Sequence, residues 1–543
     1  MDLSFTPPGP GFWELEAGHH GRRPLSGFIA AAYKRAFEDG IKAMLANYGL
    51  PLARVRFEFV HGCTYVRPLG VGEGDKPGAT PPKPIMKLFV RVHPEMRRRN
   101  RAAIRAWQDK RWRDDVDQWF DHDREQVSAT NLDFQAIDPK RLDDAALVAH
   151  CADLLAHFET QARLNLHYHG GDIIPIGDYL AHCAQWGIGH TDASALLRGS
   201  SPATIASALL LAPVAHALAT TAIPPTSVES VRSLGADARR GVDQWLERHA
   251  WRVMTTDDID RPTLAERPEL QLAALLAAAA GPTESPEPPD ASVVRARVPA
   301  RERAVFDELL AEARYGLGQR EDVVGIRWNW SAGLLRRAVV EVGRRLAARG
   351  LLQNAEHAVE LSPDEIGPVL LAGAGPAADT VAARAAFRDR VEAAGPPAGL
   401  GEPEAPPPLD VLPRPMARAT AAMMTMLEAD MTSPSTEALR GAGIGTECYK
   451  GIARVVTDAD DALDRLQPGD VLIARFTGPA YNSILPILGA LVVETGGPMC
   501  HAAIVAREFD LPAIIGATGA TTHIPDGALV EVDPIDGVVR IAT

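Results

Sequence analysis

The chain has 543 residues, 46% of them hydrophobic and 23% charged, a balance that excludes disorder as the main state. Its 56 Lys and Arg against 70 Asp and Glu leave a net charge of −14, which argues against a nucleic-acid footprint. Five scattered cysteines (Cys63, Cys151, Cys183, Cys448 and Cys500) with no CxxC pair argue against a disulfide framework or structural zinc, and for the cytoplasm.

The first residues, Met1 to Pro8, have no basic or apolar signal region, so no secretory leader is expected. Val55 to Val66 alternates and is rich in Val, Phe and Tyr, which predicts a strand; Ile85 to Val92 is expected to pair with it. The basic run Arg97 to Arg113 reads as a solvated helix face, and Leu142 to Phe158 as an amphipathic helix. The cluster His167-Tyr168-His169-Gly170-Gly171 lacks a third ligand at sensible spacing, so a polar loop is expected and no metal site. Ala203 to Ile223 is the most membrane-like stretch. Pro213 and His216 interrupt it, which predicts a buried helix pair and no membrane span. Helices are expected over Ser227 to Trp251 and Leu270 to Ala280. Leu335, Ala338, Val339, Val342 and Leu346 make an apolar stripe opposite Arg336, Arg337, Arg344 and Arg345, the pattern of a solvated amphipathic helix. Two proline-rich stretches, Gly281 to Pro299 and Gly395 to Pro415, read as linkers or surface loops.

The character changes near Gly441. Strands are expected at Ile452 to Val456, Val471 to Ala474, Ala490 to Glu494 and Ala513 to Gly516, with a short helix from His501 to Glu508. Ala528 to Val532 and Val538 to Ile541, joined through Pro534-Ile535-Asp536-Gly537, form a hairpin signature.

The informative string is Glu494-Thr495-Gly496-Gly497-Pro498-Met499-Cys500-His501, continued by Ala502-Ala503-Ile504-Val505-Ala506-Arg507-Glu508. It reads as a strand, a glycine loop and a histidine in the first turn of a helix. Glycine lets backbone approach a bulky group, and a helix N-terminus favours an anion. A histidine there is mostly neutral near pH 7 and offers a ring nitrogen as nucleophile. By itself such a histidine also serves to cap and pack the helix.

The string resembles the swivelling phosphohistidine domain of the phosphoenolpyruvate-utilising enzymes, among them pyruvate phosphate dikinase, phosphoenolpyruvate synthase, rifampicin phosphotransferase and phenylphosphate synthase. The resemblance is carried by Gly496-Gly497, His501 to Glu508 and Leu511 to Gly516. Gly469 to Leu472, Thr477-Gly478-Pro479, Asp526-Gly527 and Asp533 to Gly537 extend it. It implies phosphorylation of His501, with Gly496, Gly497, Thr477 and Arg507 positioning the phosphate. Met499-Cys500 departs from the pattern, where many members have a hydroxyl residue before the histidine. The rest of the chain is similar, over scattered residues, to the helical acceptor domain of the rifampicin phosphotransferase type. These are Trp13, His19, Pro24, Trp251-Arg252, Asp257 to Asp260, Arg320-Glu321 and Ala358 to Glu365. On that likeness His19, Arg320 and Glu321 are candidate acceptor-binding residues; Arg320 and Glu321 read equally as a buried ion pair.

The expected architecture is multidomain: a large, mainly α-helical acceptor-binding domain over 1–433, then a small α/β swivelling phosphohistidine domain over 434–543. The hinge is expected near Met431 to Gly443. No ATP-grasp domain, phosphoenolpyruvate barrel or GxxxxGK[ST] cradle is visible. The resemblance therefore implies a separate ATP-grasp subunit holding ATP and Mg2+, which would phosphorylate His501 with AMP and phosphate as the other products. The acceptor is expected to be a hydroxyl of a small organic molecule. The alternatives are a phosphohistidine carrier or regulatory protein without acceptor chemistry, and phosphorylation that activates a substrate for a following condensation.

Overall fold

Two sheets organise the chain, each in a different compact unit. The computed structural model describes residues 3–16, 23–74, 81–221, 223–253, 258–403, 408–431, 435, 437–478, 481–482 and 484–542. His19, His20, Asp257 and part of the expected hinge lie outside these residues. One unit comprises Met1–Gly171, Thr256–Arg261 and Val323–Thr420; the other comprises Asp172–Thr255, Pro262–Asp322 and Ala421–Thr543.

In the first unit long helices carry the core. Ala30–Asn47, Asp144–Tyr168 and Ser331–Ala348 bury one another's apolar sides. Tyr33, Phe37, Phe57, Phe158 and Trp328 interlock between them, mostly edge to face. Asp143 caps the second helix by accepting the Ala146 N–H at 2.8 Å. That helix continues past Phe158 to Tyr168, and His169 is its C-cap, so the histidine cluster ends a helix and is not a loop. Among the described residues no group of three His, Cys, Asp or Glu is placed to hold a metal.

The four-stranded sheet of this unit has β1 (Trp13–Leu15), β2 (Leu52–Val60), β3 (Cys63–Gly70) and β4 (Gly399–Leu400) in the order β2-β3-β1-β4. The Val55–Val66 stretch is a hairpin, not one strand; the chain reverses at His61-Gly62, both at positive φ. Ile85–Val92 does not join it. Lys83–Val92 is a helix with Pro84 in its first turn, where the ring's fixed φ suits a helix. Ser331–Ala348 buries the expected stripe, but its other side is not uniformly solvated. Arg336 is fully buried and donates to the Ile259 carbonyl (2.9 Å) and the Glu356 carboxylate (2.8 Å). The basic run falls on Pro94–Gln108 and Arg111–Asp117; Arg97, Arg98, Arg101 and Arg105 are exposed, whereas Arg99 is buried against Glu95.

In the second unit the membrane-like stretch forms Pro202–Leu210 and Ala212–Ala219, bent by 46°. No single described helix is long and apolar enough to cross a membrane, although this bent pair passes on length and composition. The predicted Ser227–Trp251 helix is two, Val228–Arg232 and Ala236–His249, broken at Gly235. Pro268–Ala279 follows.

The C-terminal sheet has seven strands in the order β11-β10-β6-β7-β8-β9-β5. They are β5 (Ala442–Ile444), β6 (Tyr449–Val455), β7 (Val471–Ala474), β8 (Ala490–Val493), β9 (Ala513–Ile515), β10 (Leu529–Asp533) and β11 (Val538–Ile541). The four from β6 to β9 are parallel, and β5, β10 and β11 are antiparallel to their neighbours. Alternation divides the core. Val471, Ile473, Ala490 and Val492 face one layer; Leu472, Ala474, Leu491 and Val493 face the other. The second layer is continuous with Leu211, Val214, Trp245, Ala274 and Leu275, which is why the helices of residues 172–322 and this sheet form one compact unit.

Gly443 in β5 illustrates how tightly the sheet is closed: a Cβ there would lie 1.8 Å from the Pro534 carbonyl oxygen. Gly443→Ala should therefore destabilise the protein by about 1–3 kcal/mol through overpacking. Gly478→Ala, with nothing within 4 Å of the added carbon, should be near neutral. Denaturant unfolding of the two variants checks the difference.

Candidate active site

The site lies just beyond the carboxyl end of a parallel strand, the usual place for a site in such a sheet. After β8 the Thr495 N–H and hydroxyl both donate to the Arg475 carbonyl at 3.0 Å. The chain then turns at Gly496, at φ +106°, where a Cβ would lie 2.7 Å from Cys500 Sγ. Gly497 N–H donates to the Asp430 carbonyl at 2.9 Å, and Met499 N–H to the Ala429 carbonyl at 2.8 Å. These carbonyls belong to the last turn of the helix Arg414–Met431, whose C-terminal acceptors are otherwise orphaned. Cys500 is the N-cap of the helix His501–Glu508 and makes no side-chain cap bond; burial pushes its thiol up to about 12. Ala502, Ala503, Val505 and Ala506 anchor that helix in the core.

His501 Nδ1 lies 2.8 Å from Glu321 Oε2. The other ring nitrogen, Nε2, is buried and has no hydrogen-bond partner among the described residues. A neutral imidazole with Nδ1–H donated to a carboxylate carries its free lone pair on Nε2. Glu321 belongs to the helix Arg303–Val323. Burial pushes its carboxyl up, but His501 and Arg320 outweigh this and hold it below the ordinary carboxylate range.

Arg320, one residue earlier, donates to Asp172 Oδ2 at 2.7 Å and to Asp430 Oδ2 at 2.8 Å. Burial opposes its charge, and Asp430, Asp172 and Glu321 together raise its pKa despite that. Arg320 and Glu321 therefore do not pair mainly with each other. One bridges two aspartates and the other holds the histidine.

Thr477 follows β7; it is buried and its hydroxyl has no partner among the described residues. Arg507 is buried, which lowers its pKa to about 10, and Nη1 donates to the Pro498 carbonyl at 2.6 Å and meets Ser194 Oγ at 3.4 Å. Its guanidinium thus braces the loop ahead of the histidine. His19 lies outside the described residues. Asp172 and Asp430 carry no local signal in the sequence; only the fold brings them to Arg320.

In the first unit, Asp258, Asp260 and Glu360 are gathered around two arginines. Arg388 reaches Asp260 at 2.6 Å and Glu360 at 2.8 Å; Arg23 also reaches Asp260 at 2.6 Å. Asp258 accepts the Ser26 N–H and hydroxyl at 2.7 and 2.6 Å. Parts of the chain quoted for the acceptor-domain likeness are thereby spent on a buried ion network.

Two measurements follow from this electrostatic arrangement. Arg320→Met leaves Asp172 buried without its guanidinium and should cost about 3–5 kcal/mol in denaturant unfolding. A depressed carboxyl pKa stabilises the fold above the unfolded value near 4.3 and loses that contribution as pH falls through the folded value. In His501→Ala the hydrogen bond that helps hold Glu321 ionised is removed, so the Glu321 carboxyl should titrate at higher pH, read by its side-chain carbon resonance.

Residues 466–537 match the family model described as the PEP-utilising enzyme, mobile domain. An uncharacterised protein of Mycobacterium tuberculosis is 32% identical over 277 residues, covering 51% of this chain and 28% of that protein. A rifampicin phosphotransferase of Streptomyces sviceus is 39% identical over 104 residues, 19% of this chain and 12% of the relative. A phosphoenolpyruvate synthase of Deinococcus radiodurans is 33% identical over 124 residues, 23% of this chain and 16% of the relative. The chain thus spans little more than a quarter of the first of these relatives and less of the others. Residues 466–537 thus form a mobile domain of the PEP-utilising enzyme type.

Proposed function

We propose that this chain is a phosphotransferase component that accepts a phosphoryl group on His501 Nε2 and passes it to a hydroxyl of a small organic acceptor. The observation that carries the proposal is the pair of ring environments: Nδ1 held by Glu321, Nε2 buried and unbonded. Two of the named relatives, a rifampicin phosphotransferase and a phosphoenolpyruvate synthase, support phosphoryl transfer as the general chemistry. The donor in this reading is ATP with Mg2+ on a separate ATP-grasp partner, which releases AMP and phosphate.

The chemistry runs in two stages. In the first, the Nε2 lone pair attacks the β-phosphorus of ATP and AMP leaves with the electrons of the α–β P–O bond; water then cleaves the β–γ P–O bond, phosphate leaves, and the β-phosphoryl group stays on His501. Nδ1 keeps its proton against Glu321. In the second, the acceptor oxygen attacks phosphorus, the N–P bond returns its electrons to Nε2, and the hydroxyl proton passes to water. With Nδ1 protonated the departing group is a neutral imidazole, a better leaving group than an imidazolate. Glu321 supports that proton, so it acts on both steps through one hydrogen bond. The N–H groups at the start of the histidine helix, together with Gly496 and Gly497, leave room and partial positive charge for the phosphoryl oxygens. Positioning and charge neutralisation then supply the rate enhancement.

The test is incubation with Mg·ATP, alone and with an ATP-grasp protein, counting acid-labile, base-stable phosphate. His501→Ala should abolish labelling and product. Glu321→Gln removes a charge-assisted hydrogen bond of about 1.5–3 kcal/mol and should slow transfer by about 10–100-fold. Normal activity in the reconstituted His501→Ala protein would refute the proposal; stable label without turnover would identify a carrier.

A further inference from the structure

The histidine helix is held at both ends. His501 at its start meets Glu321, and Glu508 at its end reaches a different part of the helical region. Glu508 is buried, 3% exposed, at the last position of His501–Glu508. Its Oε1 accepts the N–H of Gly199 and of Ser201, each at 3.1 Å, and Oε2 accepts Gly199 N–H at 3.1 Å. Ser201 is the N-cap residue of the helix Pro202–Leu210 and makes no side-chain cap bond. Its hydroxyl is turned to Thr204 Oγ1 at 2.8 Å, and Pro202 contributes no N–H. The backbone N–H groups entering that helix are therefore capped by a carboxylate about three hundred residues away in sequence, where a carboxylate is also favoured by the helix dipole.

The neighbouring side chains point the same way. Arg507 Nη1 meets Ser194 Oγ at 3.4 Å, and Asp510 pairs with Arg198 at 3.3 Å. Three residues of the sequence Arg507-Glu508-Phe509-Asp510 thus contact the segment 194–201. The carboxylate of Glu508 accepts these bonds from outside the C-terminal sheet, so its partners do not hold the sheet itself together.

We infer that Glu508 is the docking residue of the mobile domain, lending its carboxylate as the N-terminal cap of the helix Pro202–Leu210 and so setting His501 against Glu321. The inference rests on the proposed function only for its purpose: a domain that carries a phosphoryl group needs a docked pose that is specific and reversible. A capping interaction suits this, because on undocking both the carboxylate and the helix N–H groups regain water.

The test uses the full chain and needs neither acceptor nor partner. Hydrogen exchange is measured at Gly199 and Ser201, and His501 is phosphorylated chemically with potassium phosphoramidate, in the wild type, in Glu508→Gln and in the shorter but charged Glu508→Asp. Both variants should exchange at Gly199 and Ser201 about 5–30-fold faster, and His501 should react faster by a similar factor as its buried Nε2 is released. The amides of β7 and β8 should keep wild-type protection. Wild-type exchange and reactivity in both variants would overturn the inference, as would loss of protection throughout β7 and β8, which would make Glu508 a support of its own domain. Failure of phosphoramidate to label His501 in any protein, the wild type included, would count against the phosphohistidine reading, while the exchange data would still judge Glu508.

Discussion

Arg320 is the one cation on which the candidate site depends. Three carboxylates, Asp172, Asp430 and Glu321, contribute to its charge, and two of them take its two arms. Without a guanidinium between them, buried acids would repel one another or take up protons. A planar fork suits this position, because each arm meets a different helix: Asp172 lies in the first turn of Gly170–Gln185 and Asp430 in the last turn of Arg414–Met431. Successive residues on a helix are turned by about 100°, so with Arg320 directed to the aspartates, Glu321 is free to point elsewhere. It points at His501.

The same turn that anchors Arg320 also receives the histidine loop. Asp430 gives its side chain to Arg320 and its carbonyl to Gly497, and Ala429 gives its carbonyl to Met499. The loop is therefore positioned through backbone, and the histidine through its side chain, from two elements that Arg320 ties together. This explains how a loop opening on glycine at positive φ presents a ring with Nδ1 fixed by Glu321 and Nε2 buried and unbonded among the described residues. Cys500, the N-cap residue of the histidine helix, makes no side-chain cap bond, so the loop is held by these backbone bonds.

The C-terminal domain was legible in the sequence because its signals are local. Short apolar runs such as Val471–Ala474 and Ala490–Val493, cut by glycine and proline turns, match the strands within a residue or two. The helical region was legible only where one face is buried against solvent on the other. Lys83–Val92 misled because its β-branched apolar residues suit a strand; Ile85, Leu88 and Val92 remain exposed, and only Pro84 marked a helix start. His167 to Gly171 misled because polarity and glycines suggest a loop where a helix continues to Tyr168. Arg336 was placed on a wet face by its charge, whereas the Ile259 carbonyl and Glu356 draw it inside. Arg320 and Glu321 were singled out by likeness, but nothing near them in sequence names Asp172, Asp430 or His501. Each of those partners is more than a hundred residues away, so the pairing belongs to the fold alone.

Charge also links chemistry to motion in the proposed reading. A phosphoryl group on Nε2 adds about −1.5 to −2 charges beside Glu321, where Asp172, Asp430 and Glu321 already surround the Arg320 guanidinium. Such a state is tolerable in the docked pose only with a proton on Nδ1, where it is shared with Glu321 and offsets one negative charge. Once the phosphoryl group has left, the same contact is an ordinary hydrogen bond from a neutral ring. The proton that makes His501 a good leaving group is therefore the proton that makes its phosphorylated form compatible with docking. In this reading one atom, Nδ1, with the carboxylate that Arg320 helps keep ionised, serves both the docked pose and the reactivity.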